Sequence, residues 1–275
     1  MAGFEIVEAV NSPGAPGKSG DDRYGFDAAA GTAWVLDGAT DVTDLKPFPG
    51  AESGAAWIAS AFSARLMAAP APDMAARDYW RDVMADVRQR ARGDSTIALA
   101  SLPPEAWPIA SGVWMRRLGG EVELGWMGDC IALDLETGAI HGAADAIARE
   151  TEESRALESL GEAQRWDAAR QSRIATNTSD APIFGLVPEK ASGLSLTRIE
   201  ARPGLSLVLM SDGFFRLIEP YRIVESGTGL AALIGEGGLA GALEKLRVFE
   251  ATTPADAIAR IKPSDDSCAL WVRLN

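Results

Sequence analysis

Two apolar runs end in the same dipeptide. The segment AWVLDGAT, residues 33–40, stops at Asp37–Gly38, and LVLMSDGFF, residues 207–215, stops at Asp212–Gly213. Further carboxylates punctuate apolar stretches: Asp21 and Asp22 before RYGFD, Asp129 within LGWMGDCIALDL, and Asp265 and Asp266 before SCALWV. A strand end delivers its side chains to the rim of a sheet, so these carboxylates converge if their strand ends share one rim. Close like charges raise one another's pKa and cannot all stay ionised unaided. Hard divalent cations relieve that conflict, because Mg²⁺ and Mn²⁺ prefer carboxylate, carbonyl and water oxygens. A glycine after the aspartate leaves its main-chain carbonyl open as a further ligand. Asp-Gly is also a common turn dipeptide, and for any one aspartate turn chemistry is the simpler reading. It is the set together that points to a site.

The elements that must position these residues read as strands in neighbouring pairs and helices in blocks. FEIVEAV is strand-like, and the Pro/Gly loop NSPGAPGKSGDD follows it. RYGFDAA and TAWVLDG are two strands of a hairpin. Ile58, Phe62 and Leu66 lie at i, i+4, i+8, and Trp80, Val83, Met84 and Val87 at i, i+3, i+4, i+7, which predicts two amphipathic helices separated by the PAP at 70–72. Strands are expected again at 94–102, 109–118 and 121–138, with a turn at Thr137–Gly138. The charged stretch 143–172 is expected to be helical or partly mobile, with a solvated face. GLSLTRIEA and LSLVLMSDG follow as strands, and the last quarter is helical. There Thr253 suits an N-cap, Pro254 a first helical position and Pro263 a stop. SCALWVRLN closes the chain as a strand. Because strands and helices do not alternate one for one, the pattern predicts an α+β fold of antiparallel sheets with helices on the outer faces. No linker divides the 275 residues, which predicts one domain, 1–275.

Composition narrows the function. The balance of 47% hydrophobic and 24% charged residues is that of a soluble globular protein. A formal net charge of -13 disfavours nucleic acid and anionic membrane as partners. It also repels phosphate, so phosphate chemistry requires cations or local basic groups. Cys130 and Cys268 each sit in an apolar run, which predicts two buried thiols. Without a CxxC or a Cys/His cluster there is no basis for a structural zinc site. Glu5 and Glu8 stand where a signal peptide would be apolar, and no long apolar stretch occurs, so a cytoplasmic protein is expected.

The ordered series GDDRYGFD, VLDGAT, GDSTIALA, GDCIAL, LMSDGFF and SDDSCALWV resembles the PPM-type metal-dependent phosphatases, the protein phosphatase 2C family. The resemblance runs over residues 20–273. It implies a four-layer α-β-β-α sandwich, two stacked antiparallel sheets flanked by helices, with two or three Mn²⁺ or Mg²⁺ ions at one end. Carried over by position, Asp37 would bridge two metals with the Gly38 carbonyl as a further ligand. Asp212 and Asp265 would complete the first metal's shell. Asp21, supported by Asp22, would serve the second, and Asp129 a third, weaker ion.

The resemblance further implies hydrolysis of phosphomonoesters by a water activated between two metals, most simply on serine or threonine phosphoproteins. Asp37, Asp212 and Lys18 would be the groups nearest the reaction. Several positions depart from the family pattern. Ala39, Thr40 and Asp41 follow Asp-Gly where many members carry a His general acid, and the sole histidine, His141, reads as surface or core filler. The phosphate-binding arginine expected four residues before the acidic pair is Gly17 here, with Lys18 beside it as a point charge. A third-metal partner expected four residues after Asp212 is Arg216. The stretch 143–180 falls where relatives carry a variable flap. Two rival readings follow from these departures: a pseudophosphatase that binds a phosphorylated partner without turnover, and a small-molecule phosphatase.

Overall fold

Strand β3, Thr32–Gly38, is buried on both faces. Its odd and even residues must therefore pack against different layers. Ala33 and Val35 point to a core shared with a second sheet, whereas Trp34 and Leu36 point to a core shared with helices. The same division holds in β9, Ser206–Met210, where Leu207 and Leu209 face the other sheet and Val208 and Met210 face a helix. Such doubly apolar strands can only be central layers of a sandwich.

The computed structural model describes residues 3–15, 17–67, 74–142, 161–254 and 264–275. The first sheet is ordered β1 (Phe4–Ser12), β10 (Ser267–Leu274), β9, β6 (Ile131–Asp134), β7 (Ile140–Gly142). The second is ordered β2 (Arg23–Asp27), β3, β4 (Ala110–Leu118), β5 (Glu121–Met127), β8 (Ser195–Glu200). Every pairing in both is antiparallel. Helices α1 (Gly54–Leu66) and α2 (Ala76–Asp94) cover the second sheet. There Ile58, Phe62, Leu66, Trp80, Val83, Met84 and Val87 close on Trp34 and Trp114, as their spacing predicts. Helix α5 (Gly227–Thr252) covers the first sheet through Leu230, Leu233, Ile234, Leu239 and Leu246. Three cores thus separate four layers, the expected α-β-β-α sandwich. Cys130 and Cys268 are free and lie in the middle core.

Two side chains set helix positions across long sequence gaps. Asp41 accepts from the Gly54 and Ala55 N–H groups at 2.9 and 3.2 Å, and so caps α1 beside its N-cap Ser53. Glu8 accepts from Leu239 and Ala240 N–H at 2.7 and 2.8 Å, capping the second half of α5 where Gly238, at φ 69, kinks it. No helix among the described residues is long and apolar enough to cross a membrane.

Three local expectations change. Residues 94–102 form no strand: α2 runs on to Asp94, and a single 3₁₀ turn follows at Leu99–Ser101. Ala91 extends the buried stripe of α2, the Asp94 carboxylate is held by Trp57 and Arg90, and the Ser95 hydroxyl bonds the Ile97 main chain. The strand beside β3 is therefore β4, and GDSTIALA does not supply it. Thr253 closes α5 as its C-cap, and the helix expected after it lies, from residue 255, outside the described residues. Of the charged stretch, 143–160 lies outside the described residues, and α3 (Glu162–Thr178) follows, with one buried arginine, Arg173.

Candidate metal centre

Antiparallel register places the acidic strand ends on one rim. In the first sheet β9 ends where β10 begins: Met210 pairs with Ala269, and Ser211 N–H donates to the Cys268 carbonyl at 3.0 Å. Ser12 at the end of β1 pairs with Ser267, and Ile131 at the start of β6 pairs with Met210. In the second sheet Arg23 pairs with Leu36, Asp37 with Ser111, and Gly112 with Met127. The start of β2, the end of β3, the start of β4 and the end of β5 thus lie together. The β5–β6 connection, Gly128–Cys130, crosses from one sheet to the other at this rim and carries Asp129 with it. Gly128 is required there: its φ is +80°, and a Cβ would stand 2.1 Å from Ser111 Oγ.

Asp22, Asp37, Asp129, Asp212 and Asp265 meet in the resulting cleft. Asp22 is fully buried, and neither of its carboxylate oxygens has a hydrogen-bond partner. Burial drives its pKa well above the ordinary carboxylate value, and the charges of Asp212, Asp266 and Asp265 add to the effect. The neighbouring Ser211 hydroxyl opposes the shift, but its hydrogen bonds run to the Cys268 main chain. Asp37 keeps part of its surface open to the cleft although protein surrounds it. Its pKa is also raised well above normal, first by burial and then by Asp22 and Asp212. Asp129 is pushed up to about 6 by burial and by Asp212, with Ser111 pulling the other way.

Asp37, Asp129 and Cys130 each bring one donor atom within 4.8 Å of the others. The Cys130 thiol is held protonated by burial and by the same carboxylates. Hard oxygens therefore dominate the donor set, which suits Mg²⁺ or Mn²⁺ over softer ions. Crowded carboxylates of raised pKa, one of them with two orphaned buried oxygens, are what a cation would relieve. On this chain's own residues, the cleft fits a divalent metal.

No protein-family model and no curated protein matches the sequence. Solved structures do match in shape. One is the catalytic domain of the serine/threonine protein phosphatase PstP in complex with two manganese ions, at 14% identity and TM-score 0.56 over 100% of this chain and 99% of that one. A second is the PPM Ser-Thr phosphatase MsPP of Mycobacterium smegmatis in complex with cacodylate, at 17% identity and TM-score 0.53 over 98% of both chains. The chain has the PPM phosphatase fold. PppA of Pseudomonas aeruginosa, a key regulatory component of T6SS, matches at 17% identity and TM-score 0.56 over 100% of both chains. Identities this low carry the fold, and the chemistry has to come from this chain's own side chains.

Within the PPM fold, the remaining candidates fall as follows. The Asp21 carboxylate accepts from the Ser53 hydroxyl, and its N–H donates to Asp266. Asp266 also accepts from Gly14 N–H at 2.7 Å, so it ties the 14–21 loop to the start of β10. Arg23 donates to the Gly20 carbonyl at 2.9 Å and to the Ser60 hydroxyl of α1 at 3.0 Å, and so ties Gly20 to that helix. Gly38 packs so closely on the start of α1 that a Cβ would stand 2.6 Å from the Ala55 carbonyl oxygen. Lys18 is exposed on the loop, and its charge is felt at Glu52. His141 lies half-buried on β7, paired with Ala132, and burial lowers its pKa.

Two arginines matter more here than sequence reasoning allotted them. Arg216, read only as a missing third-metal ligand, pairs with Asp265 at 2.7 Å and Asp212 at 3.7 Å. Its four-residue spacing from Asp212 was a usable signal, since i,i+4 places both on one side of a helical turn. Arg173 on α3 donates to the Ala39 and Thr40 carbonyls at 3.1 and 2.9 Å, directly after Asp37–Gly38. Burial pushes its pKa down to about 10, which leaves it cationic at neutral pH. No local pattern announces a contact across 134 and 133 residues.

Proposed function

We propose that the chain is a metal-dependent phosphomonoester hydrolase acting on phosphoserine and phosphothreonine in proteins, and that it does so as one domain. The observation that carries this reading is Asp22, buried with two unpartnered oxygens among the other carboxylates. A buried carboxylate left in that state costs several kcal/mol, so the arrangement makes physical sense with cations present. Asp22, Asp37, Asp212 and Asp265 would hold two Mn²⁺ or Mg²⁺ ions, with the Gly38 carbonyl and Asp129 as further oxygen donors. When bound, such ions would supply activation of water and neutralisation of phosphoryl charge.

The protein's own groups have three tasks in this reaction. Burial of Asp22 keeps competing water away from its oxygens and makes each charge interaction there stronger than at the surface. Arg173 holds the loop after Asp37–Gly38 at its two carbonyls, fixing the direction in which the Gly38 segment leaves β3. Lys18, two residues from the Gly20 that packs against the Asp266 carboxylate, is an exposed cation beside this rim and available to an incoming phosphate. With a net charge of -13, such local cations decide whether phosphate can approach.

The serine/threonine phosphatases among the structural neighbours support a phosphoprotein substrate. A panel with Mn²⁺ that compares phosphoserine and phosphothreonine peptides with sugar and nucleotide phosphates tests this. The reading predicts turnover of the peptides. Turnover of the small molecules alone would replace it with a small-molecule phosphatase, and peptide binding without turnover would replace it with a pseudophosphatase.

A further inference from the structure

Near its C-terminal end, α5 brings Arg247 to the acidic rim, where one guanidinium serves three residues. Its Nη2 donates to the Asp265 and Ser12 carbonyls, each at 2.9 Å, and its Nε to the Ser12 hydroxyl at 3.3 Å. Its Nη1 donates to Glu250 at 2.6 Å, about one turn further along the helix. The Glu250 side chain is only 2% exposed, and its other oxygen accepts from the Tyr221 hydroxyl at 3.2 Å. Tyr221 belongs to the segment after the short helix α4 (Asp212–Phe215), and its N–H donates to the Arg216 carbonyl at 3.2 Å. Ser12 ends β1, and its partner in β10 is Ser267. One arginine thus joins the end of β1 to the main chain of a cleft carboxylate that lies 18 residues after it in sequence.

We propose that Arg247 is a positioning residue for Asp265: by holding the Asp265 carbonyl against the end of β1, it fixes where the carboxylate stands for a divalent ion. The inference rests on reading the cleft as a divalent-metal centre. That reading has its own support in the unpartnered oxygens of buried Asp22. Asp265 faces the other carboxylates, since its charge is felt at both Asp22 and Asp129. On the rim itself its carboxylate is held by Arg216 at 2.7 Å and by the Asp266 N–H at 3.0 Å. Arg247 acts at a different atom and from a different layer. The pairing of β1 with β10 ends at Ser267, so the Asp265 carbonyl lies beyond that ladder, and Arg247 reaches it from α5. A planar fork with five donors can serve Glu250, Ser12 and Asp265 together, whereas a lysine ammonium is a point charge. Glu250 sets the direction of that fork. If the fork swings away, Glu250 is left as a buried carboxylate without its cation, which is costly. Removing a group that orients a metal ligand weakens metal binding by about 10–100-fold.

Calorimetric titration of the full chain with Mn²⁺ tests this without reference to activity. The wild-type chain should bind Mn²⁺, and Arg247→Met should bind it about tenfold more weakly. Loss of a nearby positive charge alone would tighten binding of a cation, so the sign separates positioning from through-space repulsion. Leu246→Ala controls for general damage to α5, because Leu246 is buried in the core under the same turn. It should lower the melting temperature and leave the Mn²⁺ affinity unchanged. Unchanged or tighter binding by Arg247→Met, or an equal weakening in Leu246→Ala, would overturn the role of Arg247 and leave the metal centre standing. No bound Mn²⁺ on the wild type would overturn both. Circular dichroism checks that each variant is folded. If Arg247→Met does not fold, Arg247→Met/Glu250→Gln takes its place, since it leaves no lone buried charge and keeps an acceptor for Tyr221. Leu246→Val replaces Leu246→Ala on the same condition.

Discussion

A Cβ on Gly213 would stand 1.9 Å from the carbonyl oxygen of Asp266. The acidic loop after β9 and the acidic loop before β10 therefore meet backbone to backbone, and the glycine of LVLMSDGFF is there to leave room. Gly213 is not among the glycines of positive φ, so its role is the missing side chain and not an unusual torsion. Gly213→Ala must push the two loops apart and separate Asp212 from Asp265. Overpacking of this kind costs about 1–3 kcal/mol. Differential scanning fluorimetry should show a lowered melting temperature, and Mn²⁺ should bind more weakly. An unchanged melting temperature would mean that the two loops are not in contact.

Arg173 predicts a local effect. Arg173→Met removes a buried cation and both of its hydrogen bonds to the Ala39 and Thr40 carbonyls. Hydrogen bonds to a charged group contribute about 1.5–3 kcal/mol each, less the desolvation cost of the guanidinium. Amide exchange at residues 39–41 should speed up while exchange in β9 and β10 stays slow, and phosphatase activity should drop by about tenfold or more. Uniform exchange across the variant and the wild type would show that α3 does not hold this loop.

The core between α2 and the second sheet predicts an alkaline transition. Tyr79 stacks on Trp114 with ring centroids 5.9 Å apart, and burial raises its pKa to about 12 against the opposing charges of Arg65 and Arg116. A raised folded-state pKa means that the contribution to stability is complete below the unfolded value of about 10 and is lost as pH rises through about 12. Ultraviolet titration should show one tyrosine ionising near pH 12, together with loss of near-ultraviolet circular dichroism. Tyr79→Phe should remove that step from the titration.

Several features of the site were legible because they follow from strand geometry. Asp37, Asp129, Asp212 and Asp265 sit at ends of apolar runs, and antiparallel neighbours deliver alternate ends to one rim, so the convergence could be read from the pattern. The helix stripes of α1 and α2 were legible for a similar reason, since 3.6-residue spacing has few rivals. Which member of the Asp21–Asp22 pair points inward was not. Both residues precede β2, whose pairing begins at Arg23, so strand alternation does not reach them; Asp22 is buried, while Asp21 accepts from the Ser53 hydroxyl. The stretch GDSTIALA misled because its hydroxyl residue and main chain bond as a turn: the Ser95 hydroxyl folds back on the Ile97 main chain, and Thr96 N–H donates to the Pro47 carbonyl at 2.8 Å. Arg173 was hidden because a charged helix advertises a solvated face, and one residue that breaks the rule leaves no mark on the composition.

The most direct test is Mn²⁺-dependent hydrolysis of p-nitrophenyl phosphate by the wild-type chain and Asp37→Asn. Asp37 lies at the centre of the cleft, within 4.8 Å of Asp129 by donor atoms and raised in pKa by Asp22 and Asp212. The account predicts turnover in millimolar Mn²⁺, its loss on chelation and recovery on adding the metal back, and a rate for Asp37→Asn at least about 100-fold lower. A folded wild-type chain that releases no p-nitrophenol at millimolar Mn²⁺, or an Asp37→Asn variant as active as the wild type, would contradict it.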